Sequence, residues 1–196
     1  MHATLGLPRH FLQNPHIRLF GDIDDPMVTN FLDQLDRACN QDECEQGRRQ
    51  VVVEVSSSGG TADNASRICE EIRLAREYHN IDFLFLGKTF VYSAGVTIMT
   101  AFPRNKRLLT RNTTLLLHER RLTKTINLAG PMRANIQIIK EVLADLENGL
   151  RVENENFAQF IQGSDVSMDE VVQRAKNGWY LTAEEALARK LVDSLI

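Results

Sequence analysis

Residues 50–56, Gln-Val-Val-Val-Glu-Val-Ser, restrict the fold of this chain more than any other segment. Three consecutive valines predict a strand that is buried on both faces, which is typical of a parallel sheet. A helical pattern with one apolar side follows at about residues 65–78, and a second apolar strand follows at 81–86. Alternating strands and helices indicate an α/β fold, in which ligands gather at the carboxyl ends of the strands.

Residues 88–102 form the most distinctive stretch of the chain. An extended lead-in ends at Tyr92, a small-residue segment follows at 93–95 (Ser-Ala-Gly), and an apolar run then ends at Pro103. We interpret this as a strand, a tight turn and a short buried helix. Unpaired N–H groups at a helix amino terminus stabilise anions, and the intermediate of acyl transfer carries an oxyanion. Ser93 therefore fits a nucleophile, although on this stretch alone a small residue required for close packing is the commoner explanation.

Two other segments place candidate residues at predicted strand ends. Gly59 and Gly60 follow the valine-rich strand, and His118 follows a short strand at 114–117. A lone histidine is more often packed or solvated than catalytic, but the position of His118 matches that of Ser93 at the end of its own strand.

A long helix is predicted after Pro131. Apolar residues recur at spacings of three and four and form a seam of the heptad type: Ile136, Ile139, Leu143, Leu146 and Leu150. A helix of ~30 residues would be ~45 Å long, against a radius of gyration of roughly 16 Å for the domain. We expect such a helix to pack against another subunit, unless it is a kinked pair of helices that breaks near residues 148–149.

Composition argues against several classes of function. The net charge is −3, the pI is about 6.0, and no apolar run approaches the ~20 residues of a membrane span, so neither nucleic-acid nor membrane binding is expected. The amino terminus lacks a signal-peptide pattern. Three cysteines without zinc spacing favour reduced thiols in the cytoplasm and no bound metal, although a bridge between Cys39 and Cys44 is conceivable.

Together these motifs resemble the proteolytic subunit of the ATP-dependent Clp protease over residues 17–196. The family's Asn-Ser-Pro-Gly-Gly loop resembles residues 56–60, and its Ala-Ser-Met-Gly nucleophile turn resembles residues 92–95. The family's strand before the catalytic histidine resembles residues 115–118, and its carboxyl-terminal signature resembles residues 180–194. The separation of the matched serine and histidine is also that of the family.

The resemblance implies an α/β fold, a ClpP/crotonase-like spiral of repeated β-β-α units. It implies a single domain at 17–196, an N-terminal arm at 1–16, and a protruding handle helix at about 131–161. The subunits would form stacked heptameric rings, either of one chain or mixed with a second Clp proteolytic subunit. The partners would be an AAA+ unfoldase of the Clp/Hsp100 class and unfolded protein substrates.

The resemblance also implies the chemistry, a serine endopeptidase that needs no cofactor. Ser93 would attack the peptide carbonyl, and His118 would act as general base and then as general acid. The N–H groups of Gly60 and Ala94 would form the oxyanion hole.

The chain departs from the family at the third catalytic position. The match of residues 180–181 to the family's Phe-Leu pair puts Gly178 where the family has aspartate. Asn177 is one residue away, and its amide oxygen could accept a hydrogen bond from His118, although residues 176–178 also fit a helix carboxyl-terminal cap. Asparagine supplies no charge, so we expect activity that is weak or requires assembly.

Two alternatives remain at this stage. One is a catalytically weak or inactive accessory ring subunit, although a scaffold has no need for Ser93, His118 and Gly60. The other is a crotonase-type enzyme acting on an acyl-CoA, which ranks lower because no basic cluster is positioned for the CoA phosphates. Glu119, Arg120 and Arg121 replace the family's Gln-Pro and leave the substrate preference open.

Overall fold

The computed structural model describes residues 10–40 and 50–196. The strands are β1 (Ile17–Ile23), β2 (Gln50–Gly60), β3 (Asp82–Tyr92), β4 (Arg107–Leu109), β5 (Thr114–Leu117), β6 (Trp179–Thr182) and β7 (Ser194–Leu195). The helices are α1 (His10–Gln13), α2 (Asp25–Asn40), α3 (Ala62–Tyr78), α4 (Ala94–Thr100), α5 (Met132–Ile161), α6 (Met168–Ala175) and α7 (Ala183–Ala188). No helix in this part of the chain is both long and apolar enough to cross a membrane.

The sheet is parallel along its main path, in the order β1, β2, β3, β4 and β7. Strand β5 continues beside the far end of β3 in parallel, and β6 pairs with β5 antiparallel. Side chains of β2 alternate between two apolar clusters: Val51 and Val53 face the main core, and Val52 faces a smaller cluster with Leu84 and Leu86. The predicted α/β fold is confirmed, and burial on both faces explains the run of valines.

Several element boundaries differ from the prediction. Strand β2 continues through Gly60 and β3 continues to Tyr92, so both strands reach the candidate site themselves. The pair Asp25-Pro26 predicts a helix capped by Asp25, but the cap is one residue earlier, because the Oδ1 atom of Asp24 accepts the hydrogen bond from Met27 N at 2.9 Å. The polar residues 39–49 predict a loop, but α2 extends to Asn40, and residues 41–49 lie outside the described ranges.

Helix α5 is one unbroken helix of 30 residues, without a break at residues 148–149. Along its last three turns, one face of the helix is buried and carries Glu153, Phe157 and Phe160. The apolar seam before them is exposed, with each side chain between 45% and 57% accessible: Ile136, Ile139, Leu143, Leu146 and Leu150. The periodicity therefore predicted the helix correctly, and most of the helix leaves its apolar side uncovered in the single chain.

Arg107 at the start of β4 holds the end of α5 to the sheet. Its guanidinium is buried and donates to carbonyl oxygens at 2.8–3.2 Å, those of Phe102, Gln159, Phe160 and Leu191. Burial, and secondarily the charge of Arg104, lower the pKa of Arg107 to about 10. Carbonyls at helix ends, rather than a carboxylate, thus stabilise this cation.

Part of the predicted N-terminal arm packs on the domain. Helix α1 lies on the smaller apolar cluster through Leu12, whose carbonyl accepts a hydrogen bond from Lys88 Nζ at 2.9 Å. Residues 1–9 lie outside the described ranges, as does Cys44, so the conceivable bridge from Cys39 stays a prediction.

Candidate active site

Ser93 lies at the junction of β3 and α4, as the sequence predicts. Its backbone has φ 53° and ψ −116°, a conformation that non-glycine residues rarely adopt and that costs ~1–3 kcal/mol. The Ser93 N–H donates to the carbonyl of Leu116 at 2.8 Å, which ties the turn to β5. Such strained strand-to-helix turns are typical of exposed nucleophiles.

Gly59 is the glycine that contacts the serine, and the sequence prediction did not assign it a role. A Cβ at this position would lie 2.7 Å from Ser93 Cβ and 3.2 Å from Ser93 Oγ, and the φ of Gly59 is +107°. Its N–H donates to Ser57 Oγ at 3.1 Å, so this amide already has a partner. Gly60, the predicted oxyanion donor, lines the cavity beside Ser93. The pair of glycines at the end of β2 was the available signal, but spacing could not tell which one meets Ser93.

His118 follows β5 directly and is half-buried. Its Nδ1 atom lies 2.7 Å from the carbonyl oxygen of Glu119. Because a carbonyl can only accept, Nδ1 carries the proton, and in the neutral ring Nε2 is left as the acceptor. Glu119 N–H donates to the carbonyl of Ala175 at 3.3 Å, which anchors this segment to the end of α6.

Ser93 and His118 line one cavity of about 380 Å³. Its apolar wall comes from α4, β5 and the end of α5, including Val96, Leu117, Phe157 and Phe160. Its charged side chains are Asp63, Arg120, Arg121 and Glu153. No hydrogen bond between described residues joins Ser93 Oγ to His118, and no three metal-ligating side chains converge in the described ranges. The cavity therefore combines a serine hydroxyl, an imidazole and an apolar surface.

Asn177 lies in the turn between α6 and β6 and is exposed. Gly178 follows with φ +80° and donates its N–H to the carbonyl of Ala175 at 3.1 Å, the geometry of a helix carboxyl-terminal cap. Within residues 10–40 and 50–196, the hydrogen bond at His118 Nδ1 goes to Glu119 and none joins His118 to Asn177. Asn177 as third member of the triad stays a prediction.

Comparison with known proteins identifies the family. A sequence model described as Clp protease matches residues 6–196. The chain belongs to the Clp protease family. Among solved structures, it is similar to an asparagine-to-aspartate mutant of ClpP1 from Listeria monocytogenes, with a TM-score of 0.70 and 16% sequence identity over 96% of this chain and 94% of that chain. At this identity the likeness shows the fold alone. A search of curated proteins finds no match.

Membership of the Clp protease family implies peptidase activity in general. The fold brings Ser93, His118, Gly60 and Ala94 to one cavity, as the sequence predicts. It adds Glu153, 35 residues beyond His118 in the chain, which the sequence analysis did not single out.

Proposed function

We propose that this chain is a serine endopeptidase subunit of a self-compartmentalised, ATP-dependent Clp protease in the cytoplasm. Its substrates would be unfolded proteins delivered by an AAA+ unfoldase of the Clp/Hsp100 class. One observation carries the proposal: a serine in a strained strand-to-helix turn shares a cavity with a histidine whose Nδ1 is already bonded to a carbonyl. The family membership supports the same reaction class.

The proposed mechanism is acyl transfer to Ser93. Oγ of Ser93 attacks the scissile carbonyl while Nε2 of His118 takes its proton, and the N–H groups of Gly60 and Ala94 stabilise the oxyanion. His118 then gives the proton to the leaving amine, and the C–N bond breaks. Water then attacks the acyl carbonyl while Nε2 of His118 takes its proton. His118 returns this proton to Oγ of Ser93 as the ester C–O bond breaks, which restores the serine. Asn177 is the proposed third member; because Nδ1 of His118 carries one proton, the amide oxygen of Asn177 would share that hydrogen bond with the Glu119 carbonyl.

The proposed working form is a ring assembly. Five apolar side chains along one face of α5 are about half accessible, which is unusual for a surface that stays in water. We propose that this seam packs against another subunit, in stacked heptameric rings of this chain or in mixed rings with a second proteolytic subunit. Because no hydrogen bond joins Ser93 to His118 in the single chain, activity is proposed to require assembly.

The residues at the third catalytic position favour one alternative function, that of an accessory ring subunit. Gly178 stands where the family has aspartate, and the exposed Asn177 has no hydrogen bond to His118. A subunit of this kind could serve assembly or docking in a mixed ring while contributing weak catalysis or none.

Labelling with a fluorophosphonate probe tests the proposal and separates the two functions. The purified chain is compared with Ser93→Ala and Asn177→Ala at the same oligomeric size, and intact mass records the adduct. We expect one adduct in the native chain, none in Ser93→Ala and slower labelling in Asn177→Ala. An assembled native chain that forms no adduct at Ser93 would refute self-sufficient catalysis and favour the accessory subunit.

A further inference from the structure

We infer that Glu153 is a positioning residue for His118 and acts through the peptide group that joins Glu119 to Arg120. Through this amide, its carboxylate supplies the negative charge that the family obtains from an aspartate and that Asn177 cannot provide. The inference rests on the proposed function, in which His118 is the general base.

The geometry is a continuous line of hydrogen bonds. The ring of His118 donates from Nδ1 to the carbonyl oxygen of Glu119 at 2.7 Å. The N–H of Arg120 belongs to the same planar amide and donates to Oε2 of Glu153 in a short contact. One peptide group therefore accepts a hydrogen bond from the imidazole on one edge and donates a hydrogen bond to a carboxylate on the other.

Such an amide transmits charge. Hydrogen bonds in a chain polarise one another. A carboxylate that accepts from the N–H of a peptide group therefore increases the negative charge on the carbonyl oxygen of that peptide group. The carbonyl of Glu119 then becomes a stronger acceptor for Nδ1–H. The arrangement favours the tautomer with Nε2 as base and stabilises the imidazolium that forms when Ser93 loses its proton.

The surroundings of Glu153 leave its charge available for this role. Its side chain is 8% exposed at the buried end of α5, and burial in apolar surroundings strengthens electrostatic effects. No lysine or arginine of the described residues forms an ion pair with Glu153. The guanidinium of the neighbouring Arg120 lies 3.3 Å from Asp63 instead. The hydrogen-bond partner that the structure gives this buried carboxylate is the Arg120 amide.

Glu153→Gln is the decisive variant. Glutamine keeps the length of the side chain and an oxygen that can accept from Arg120 N–H, so it removes the charge and retains the hydrogen bond. Glu155→Gln is the matched control, because it removes the same charge two residues along α5 from an exposed carboxylate paired with Arg151. Circular dichroism and oligomeric size must agree with the native chain in both variants.

The first readout is the rate of fluorophosphonate labelling at Ser93 as a function of pH. We expect Glu153→Gln to lower the plateau rate about tenfold and to move the midpoint of the profile to lower pH by roughly one unit, the effect of losing one nearby negative charge. Other charged groups that face the same cavity, Asp63, Arg120 and Arg121, are unchanged in this variant. A purely structural role predicts a native rate and midpoint, because glutamine preserves the contact.

The second readout does not need catalysis. The ring resonance of His118, assigned by its loss in His118→Gln, is titrated by NMR in the native chain, Glu153→Gln and Glu155→Gln. We expect a lower midpoint in Glu153→Gln alone. Native midpoints in both variants would overturn the role of Glu153, whatever the labelling shows. If the midpoint is lowered in Glu153→Gln but the native chain never labels at Ser93, the proposed peptidase is refuted and the link between Glu153 and His118 stands.

Discussion

Replacing Gly59 by alanine should damage the site through contact with Ser93. The new Cβ would lie 2.7 Å from Ser93 Cβ and 3.1 Å from the carbonyl oxygen of Tyr92. Carbon atoms pack at about 3.5 Å or more, so the serine and the added methyl group must separate by about 0.8 Å. Ser93 Cβ is attached directly to the backbone, so no side-chain rotation relieves this contact and the turn itself has to shift.

Three terms give the magnitude of the loss. The positive φ of Gly59 costs alanine ~1–2 kcal/mol, and the overlap costs ~1–3 kcal/mol. Reduced freedom of the unfolded chain returns ~0.4–1 kcal/mol. We expect Gly59→Ala to lower the free energy of unfolding by roughly 2–4 kcal/mol. A displacement near 1 Å should also slow labelling of Ser93 on the order of 100-fold.

Two control variants separate these causes. Gly21 has a φ of +89°, and a Cβ added there would have nothing within 4 Å. The loss of stability in Gly21→Ala therefore measures the cost of the positive φ without any steric overlap. Gly149→Ala lies in α5 with open space around it and should stabilise the chain by up to ~1 kcal/mol. Urea unfolding and fluorophosphonate labelling measure all three variants. Labelling of Gly59→Ala at the native rate, or an equal loss of labelling in Gly21→Ala, would refute the reasoning.

Two further predictions concern buried groups away from the nucleophile. Arg107→Met removes the donors to four backbone carbonyls, three of them in buried hydrogen bonds, and should lower the free energy of unfolding by ~3–5 kcal/mol in urea. Exposed Arg111→Met should change it by less than ~0.5 kcal/mol, and equal effects would contradict the role of Arg107. Burial raises the pKa of the Cys69 thiol from 9.0 to about 12, so at pH 8 its alkylation should be about 1,000-fold slower in the folded chain than in urea. Because the folded thiol keeps its proton longer, its contribution to stability is complete below pH 9 and declines as pH rises towards 12. Equal alkylation rates in folded and unfolded chain would refute this burial.

The sequence predicted those features that depend on local pattern. Three valines in a row require apolar surroundings on both sides and indicated a parallel sheet, and the alternation of strand and helix patterns indicated the α/β fold. The spacing of apolar residues predicted α5, and small residues before an apolar run predicted the turn at Ser93. Each of these signals lies within one element, so no knowledge of distant contacts was needed.

The tertiary structure decided how the parts of the site meet. The contact of Gly59 with Ser93 depends on the register of β2 against β3, which the glycine pair did not specify. The contact of Glu153 with the Arg120 amide joins residues 33 positions apart and exists because α5 packs against α4 and α6. A buried glutamate and an exposed one look alike in a helical sequence, since the difference between them is made by the neighbouring element. The sequence therefore determined the fold and the turn at Ser93, and only the folded chain determined what surrounds His118.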